Sequence, residues 1–334
     1  IMAYTDIDDP SAYFQTALFT GNAGTNAITN TGNSDLQPDW VWFKCRSATE
    51  HHGLFDSVRG VTKAVYSNLS TAQDNLADSL ASFNSDGFTM GADTGSGGAF
   101  NGNTKTMVAW QWKETATAGF DIVSYTGNGT AGKTVAHSLS AVPKMIIVKR
   151  YNDGTASWMV YHHTLGNNIY LSLDTTAASD TGHWDSTSPT SSVFSVSGDQ
   201  RVNNDGASYI AYCFAEKQGY SKFASYVGNN NVNGTFVYTG FKPAFVMAKN
   251  IGATEGWSLF DNKRSTSGAN IIDDFLVPNT TEAEISQNVC DFVSNGFKFR
   301  HVDGKYHNNG GTYIYMAFAE NPFVTSTGVP ATAK

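Results

Sequence analysis

Apolar residues along this chain arrive in short runs closed by Gly, Asn, Asp and Ser, as in "FDIVSYTG" at 120–127, "KMIIVKR" at 144–150 and "ASYIAYCFAE" at 207–216. The runs are rich in Val, Ile, Tyr and Phe, alternate in part, and are too short for buried helices, so they predict strands. One stretch has helical spacing, "TAQDNLADSLASF" at 71–83, and it predicts a single short helix starting near Thr71. The pattern as a whole predicts an all-β chain with long polar loops, built as antiparallel β-sandwiches of jelly-roll type.

The strand runs also repeat. "MVAWQWKE", "YIAYCFAE" and "YIYMAFAE" end at Glu114, Glu216 and Glu320, 102 and 104 residues apart. Three further markers keep this step in the same order. The loops "FTGNAG", "YTGNGT" and "YVGNNN" place Gly21, Gly127 and Gly228; Pro38, Pro143 and Pro243 are each followed six residues on by Lys44, Lys149 or Lys249; and "SFNSDGF" returns as "DFVSNGF", with a degraded "SPTSSVF" between. A period near a hundred residues is one domain in size. The reading is three sandwich units at 1–116, 117–217 and 218–323 with a tail at 324–334. Links of about five and three residues between units span roughly 10 to 20 Å at most, so neighbouring units must touch. A bent row and a pseudo-threefold body both satisfy that.

Composition narrows the function classes. Only 15% of residues are charged and the net charge is −8, which argues against nucleic acid and anionic membranes as partners, since both are held by clustered Lys and Arg. No run reaches the 18 or so apolar residues of a spanning helix, and no basic start precedes an apolar stretch, so neither membrane insertion nor Sec export is expected. The three cysteines, Cys45, Cys213 and Cys290, are far apart and lack a CxxC spacing, which predicts neither a disulfide framework nor a zinc site.

Candidate chemistry is sparse. The Asn/Gly loops after each first strand offer Asn22, Asn128 and Asn229 as glycan contacts, although Gly and Asn are also the residues that tight turns require. Trp158, Trp184 and Trp257 are candidates for stacking on sugar rings, whereas Trp40, Trp42, Trp110 and Trp112 alternate along strands and are expected in the core. Asp56 with Arg59, and Asp261 with Arg264, read as D-x-x-R clamps pinning a loop, expected to be exposed pairs of little energetic weight; the second unit has "YHHTLG" there instead. The pairs His51-His52 and His162-His163 point to opposite strand faces and make poor chelates, and His183, His301 and His307 lie apart, so no metal is expected. "GADTGSGGAFNGN" at 91–103 lacks the Lys and helix start of a phosphate cradle. No catalytic signature appears and no cofactor is expected.

"MAYTDIDDPSAYFQTALFTGN", "QPDWVWFK", "FDSVRG", "SNGFKF" and "GGTYIYMAFAENPF" together resemble virion proteins of marine tailed bacteriophages, of the tail-fibre or structural type, over nearly the whole chain. The resemblance implies a protein made in the host bacterial cytoplasm and located in the virion, a homo-oligomer there, with other virion proteins and a host-surface glycan as partners. It supplies no catalytic residues. The expected function is a non-enzymatic tail-fibre or receptor-binding component. A capsid-decorating or head-fibre protein is the first alternative. A polysaccharide depolymerase is the second; its best carboxylates, Asp273 and Asp274, are adjacent loop acids rather than a pair facing across a groove.

Overall fold

The computed structural model describes residues 3–268, 270–302 and 309–330. Strand runs account for nearly all of its regular structure. The first hundred residues form β1 (Phe14–Thr20), β2 (Asn26–Ile28), β3 (Trp40–Cys45), β4 (Gly53–Asp56), β5 (Lys63–Tyr66), β6 (Asp74–Asn75), β7 (Leu80–Phe83), β8 (Phe88–Met90) and β9 (Thr106–Trp112). Next come β10 (Phe120–Thr126), β11 (Lys133–Ala136), β12 (Met145–Arg150), β13 (Met159–His162), β14 (Ile169–Ser172), β15 (Asp180–Thr181), β16 (Val193–Val196) and β17 (Ser208–Phe214). The last group is β18 (Ser221–Val227), β19 (Phe236–Tyr238), β20 (Phe241–Asn250), β21 (Trp257–Asp261), β22 (Ile271–Leu276), β23 (Ile285–Val293), β24 (Gly296–Phe299) and β25 (Thr312–Pro322).

Three large antiparallel sheets carry the same strand order. They run β1-β9-β3-β4-β5-β6, then β10-β17-β12-β13-β14-β15, then β18-β25-β20-β21-β22, the last continuing through β23-β24-β19. Smaller layers, β2-β8-β7 in the first group and β11-β16 in the second, cover one face of their large sheet. Alternation along each strand divides its residues between two cores. On β3, Val41, Phe43 and Cys45 enter the sandwich core of their own group, while Trp40 and Trp42 enter a core shared by all three large sheets. Both faces are dry, which is why β3, β12 and β20 read as continuous apolar runs. Trp112, Phe214 and Phe318 sit two residues before Glu114, Glu216 and Glu320. Their rings meet in the shared core, Phe318 lying 5.7 Å from Trp112 and 6.0 Å from Phe214 between centroids.

Polar contacts join the sheets pairwise. Gln73 N–H donates to the Tyr151 carbonyl, Ser179 N–H to Ile251 and Glu284 N–H to Arg46, each at 2.9 Å. The three marker lysines add a second set: Lys149 Nζ reaches the Ser70 carbonyl at 2.8 Å, Lys249 Nζ the Thr176 carbonyl at 3.3 Å and Lys44 Nζ the Thr281 carbonyl at 3.1 Å. Each large sheet therefore touches both others, and the contacts close into a ring rather than a row. The two covalent links turn at Gly119 (φ 72°) and Gly219 (φ 77°), where a Cβ would meet the Ala215 carbonyl oxygen at 2.4 Å or the Thr5 side chain at 2.8 Å.

The helix predicted at 71–83 is absent. Leu76, Leu80 and Phe83 have helical spacing, but Asp74–Asn75 pairs with β5 and Leu80–Phe83 pairs with β8, and all three apolar side chains reach the first sandwich core from extended chain. A helix does occur where none was expected, one turn at α1 (Gln200–Asn203), capped by Asp199 through the Arg201 N–H at 2.8 Å. One turn is too short to show a period. Among the described residues no helix is long and apolar enough to cross a membrane.

Candidate functional site

The three Asn/Gly loops are exposed at their tips, and their asparagines are engaged in building them. Asn22 Oδ1 accepts the Gly24 N–H at 2.9 Å, Asn128 Oδ1 the Thr130 N–H at 3.0 Å and Asn229 Oδ1 the Asn231 N–H at 3.1 Å, an Asx-turn each time. A residue missed in the sequence holds two of these loops from beneath. Buried Asn101 accepts from Asn22 N–H (3.3 Å) and buried Asn203 from Asn128 N–H (2.8 Å). The signal was an Asn shortly before the last strand of each group, at 101, 203 and 309.

Trp158, Trp184 and Trp257 require correction as sugar platforms. They are 0%, 2% and 1% exposed, so no ring face is open to a ligand. Trp158 Nε1 donates to the Tyr66 carbonyl at 2.8 Å and Trp257 Nε1 to the Ser172 carbonyl at 2.9 Å, each across a sheet boundary. Tryptophan at these positions buries a large surface and satisfies a neighbour's carbonyl. His52 occupies the corresponding place in the first sheet, where its Nδ1 accepts from Trp42 Nε1 at 3.0 Å.

The D-x-x-R pairs are formed, and they are buried rather than exposed. Arg59 Nε donates to Asp56 Oδ2 at 2.6 Å and its backbone N–H to Oδ1 at 2.8 Å; Arg264 repeats this with Asp261 at 2.6 and 3.1 Å. Side-chain exposure is 2% or less in all four. Each aspartate also receives a donor from the neighbouring sheet, Asp56 from Tyr212 Oη at 2.8 Å and Asp261 from Trp110 Nε1 at 2.9 Å. The pairs pin sheets together as well as loops. At the third boundary His162 takes the aspartate's place, and the residue matching Tyr212 and Trp110 is Met316, which has no hydrogen to give. His162 Nε2 approaches the Tyr315 carbonyl at 3.3 Å instead, with Nδ1 at 2.8 Å from Thr164 Oγ1. Burial pushes this imidazole down to about 3. Among the described residues no group of three His, Cys, Asp or Glu is placed to hold a metal, His51, His163, His183 and His301 included. His307 lies outside the described residues.

Exposed aromatics occur elsewhere, on the third group. β19 turns Phe236 (45% exposed) and Tyr238 (55%) outward on one face, while Val237 between them is buried. The strand follows the Asn-rich loop at 228–234; Val232 within it and Val227 at the end of β18 are also exposed. Tyr4 lies beside Tyr238 and donates its hydroxyl to the Gly240 carbonyl at 2.7 Å. The other two groups place Ala and Thr at the corresponding outward positions of β2 and β11, so the aromatic face is particular to the third. Sequence reading passed it over because Phe and Tyr in a strand are core residues by default.

A family model described as a domain of unknown function, DUF7483, matches residues 9–322, from the Asp9 turn to the end of β25. The chain belongs to the DUF7483 family. The matched span takes in all three large sheets, so the ring is the DUF7483 domain itself and not an addition to it. No curated protein matches the chain.

Proposed function

We propose that this DUF7483 protein is a non-enzymatic virion component, of the tail-fibre or receptor-binding kind, that recognises a host-surface glycan. The observation that carries the reading is the outward aromatic face of Phe236 and Tyr238 beside the Asn229 loop. Two flat rings on one strand face offer a sugar its apolar side, and exposed carboxamides nearby offer hydrogen bonds to its hydroxyls. Asn22 and Asn128 act as turn formers in this reading, and Asn229 lies nearest the binding face. The resemblance to phage virion proteins and the low charge support it. Other virion proteins are its partners, and it is present in several copies on the particle.

The acidic residues favour the non-enzymatic reading over a depolymerase. Asp274 accepts from Ser286 Oγ at 2.6 Å and is tied into the sheet rather than facing a groove. Adsorption of purified protein to host envelope fractions and a glycan array tests the proposal. Phe236→Ala and Tyr238→Ala should each weaken binding at least tenfold with an unchanged melting temperature. Full binding by the double variant, or none by the native protein, overturns it.

The capsid-decorating reading is favoured by the closed, heavily cross-bonded ring, which suits a protein that coats a particle. Its position on head or tail in a virion reconstruction separates the two.

A further inference from the structure

The ring has three junctions, and one is built differently. At the two covalent junctions a carboxylate reaches forward to the next sheet's first strand: Glu114 Oε1 accepts the Ile122 N–H at 3.0 Å and Glu216 Oε2 the Phe223 N–H at 3.2 Å. The matching pair at the third junction is Glu320 and Thr16. Glu320 instead turns to Lys242, with Oε2 at 2.6 Å from Nζ. A cleft of about 300 Å³ opens between β1 and the end of β25, at the lower end of the size of small-molecule sites (roughly 300 to 1,000 Å³).

The cleft walls are rigid and mostly satisfied. Asp9 accepts from Ser11 and Ser34 hydroxyls, each at 2.6 Å, and Gln15 donates to the Ser11 and Ser34 carbonyls while accepting from Gly32 N–H. Three lining atoms have no hydrogen-bond partner, Thr16 Oγ1, Asn262 Oδ1 and Glu320 Oε2; the last has its ion pair with Lys242, which leaves the first two unmet, and Thr16 is only 8% exposed. Buried polar atoms left without partners are rare and costly, so a pair lining one cleft calls for a ligand. Thr16 Oγ1 and Asn262 Oδ1 both accept hydrogen bonds, Phe14 adds an apolar wall, and the carboxylates of Asp9 and Glu320 and the ammonium of Lys263 line the same space.

We infer that this cleft binds one neutral sugar or polyol, whose hydroxyls donate to Thr16 Oγ1 and Asn262 Oδ1 and thereby bridge the first and third sheets where the chain itself does not. Hydroxyl-rich ligands supply the missing donors, and a neutral one needs no counter-charge in a cleft already lined by both signs, Asp9 and Glu320 with Lys263. The site is separate from the β19 face and does not depend on it.

Saturation-transfer NMR and calorimetry on the whole protein test this with glycerol, inositol and methyl hexosides. Methyl hexosides stand for the end of a glycan, glycerol and inositol for free polyols. These ligands should bind and raise the melting temperature. Thr16→Val and Asn262→Ala should each reduce binding at least tenfold, while Phe236→Ala leaves it unchanged. The two substitutions are independent, so a folding failure in one leaves the other decisive. No binding at tens of millimolar, meaning that the cleft holds water only, overturns the inference, as does native binding by both variants.

Discussion

Tyr212 donates its phenolic hydrogen to the Asp56 carboxylate at 2.8 Å, across the boundary between the second and first large sheets, where Arg59 already holds that carboxylate. A hydrogen bond to a buried charge contributes roughly 1.5 to 3 kcal/mol. Tyr212→Phe should lower stability by that amount, read from the denaturant midpoint. Asp56→Ala strands the Arg59 guanidinium and should cost about 3 to 5 kcal/mol. Equal, small effects from the two would show that the boundary does not rest on this bond.

The third boundary makes the converse prediction. His162→Asp alone places a buried carboxylate opposite Met316 with Leu165 where an arginine is needed, and should destabilise by about 3 to 5 kcal/mol. Adding Leu165→Arg and Met316→Tyr rebuilds the arrangement of the other two boundaries and should recover most of the loss. The test is non-additivity of more than about 1 kcal/mol in the combined variant.

Stability should be asymmetric in pH. His162 holds off its proton to about 3 when folded, against 6.5 ordinarily, and His52 is likewise held well below that value by burial. Between those values the unfolded chain binds more protons, so stability falls as pH drops below 6.5, with a slope approaching about 1.4 kcal/mol per pH unit for each such histidine. Lys44, Lys149 and Lys249 are pushed by burial down to about 8 from 10.5, so across that window stability rises with pH. Buried Tyr212, Tyr220 and Tyr226 are raised well above 10 by desolvation and reverse the trend beyond that pH. Denaturation midpoints across pH 4 to 11 should peak on the alkaline side, roughly between 8 and 10. A peak at or below pH 6 would contradict the burial of these groups.

Light scattering on dilute protein should give a mass near 35.9 kDa, because the ring closes within one chain. Three times that mass would mean that the copies proposed on the particle already associate through surfaces outside the ring.

The sequence carried much of this architecture in plain view. Trp40, Trp42, Trp110 and Trp112 alternate, and that alternation places all four in the shared core. The marker lysines were visible as a spacing, but nothing in Lys44 itself says that it reaches Thr281, 237 residues away. The same gap explains the errors over Trp158 and Trp257. Trp158 lies just before β13 and Trp257 opens β21, both ordinary strands, and only the neighbouring sheet makes these rings interior. The aromatic face of β19 and the cleft at Thr16 were illegible for a related reason: exposure and unmet hydrogen bonds are properties of the assembled ring, not of any local pattern.

Ser326 N–H donates to Asp8 at 2.6 Å, so the two ends of the ring lie side by side at the junction that has no peptide link. A circular permutant that joins the region of Ser326 to that of Asp8 through a short linker, and begins anew at the 115–119 turn, should fold to the same ring with comparable spectra. It should also move the discontinuity from the first and third sheets to the first and second, which makes the order of translation separable from the order of assembly.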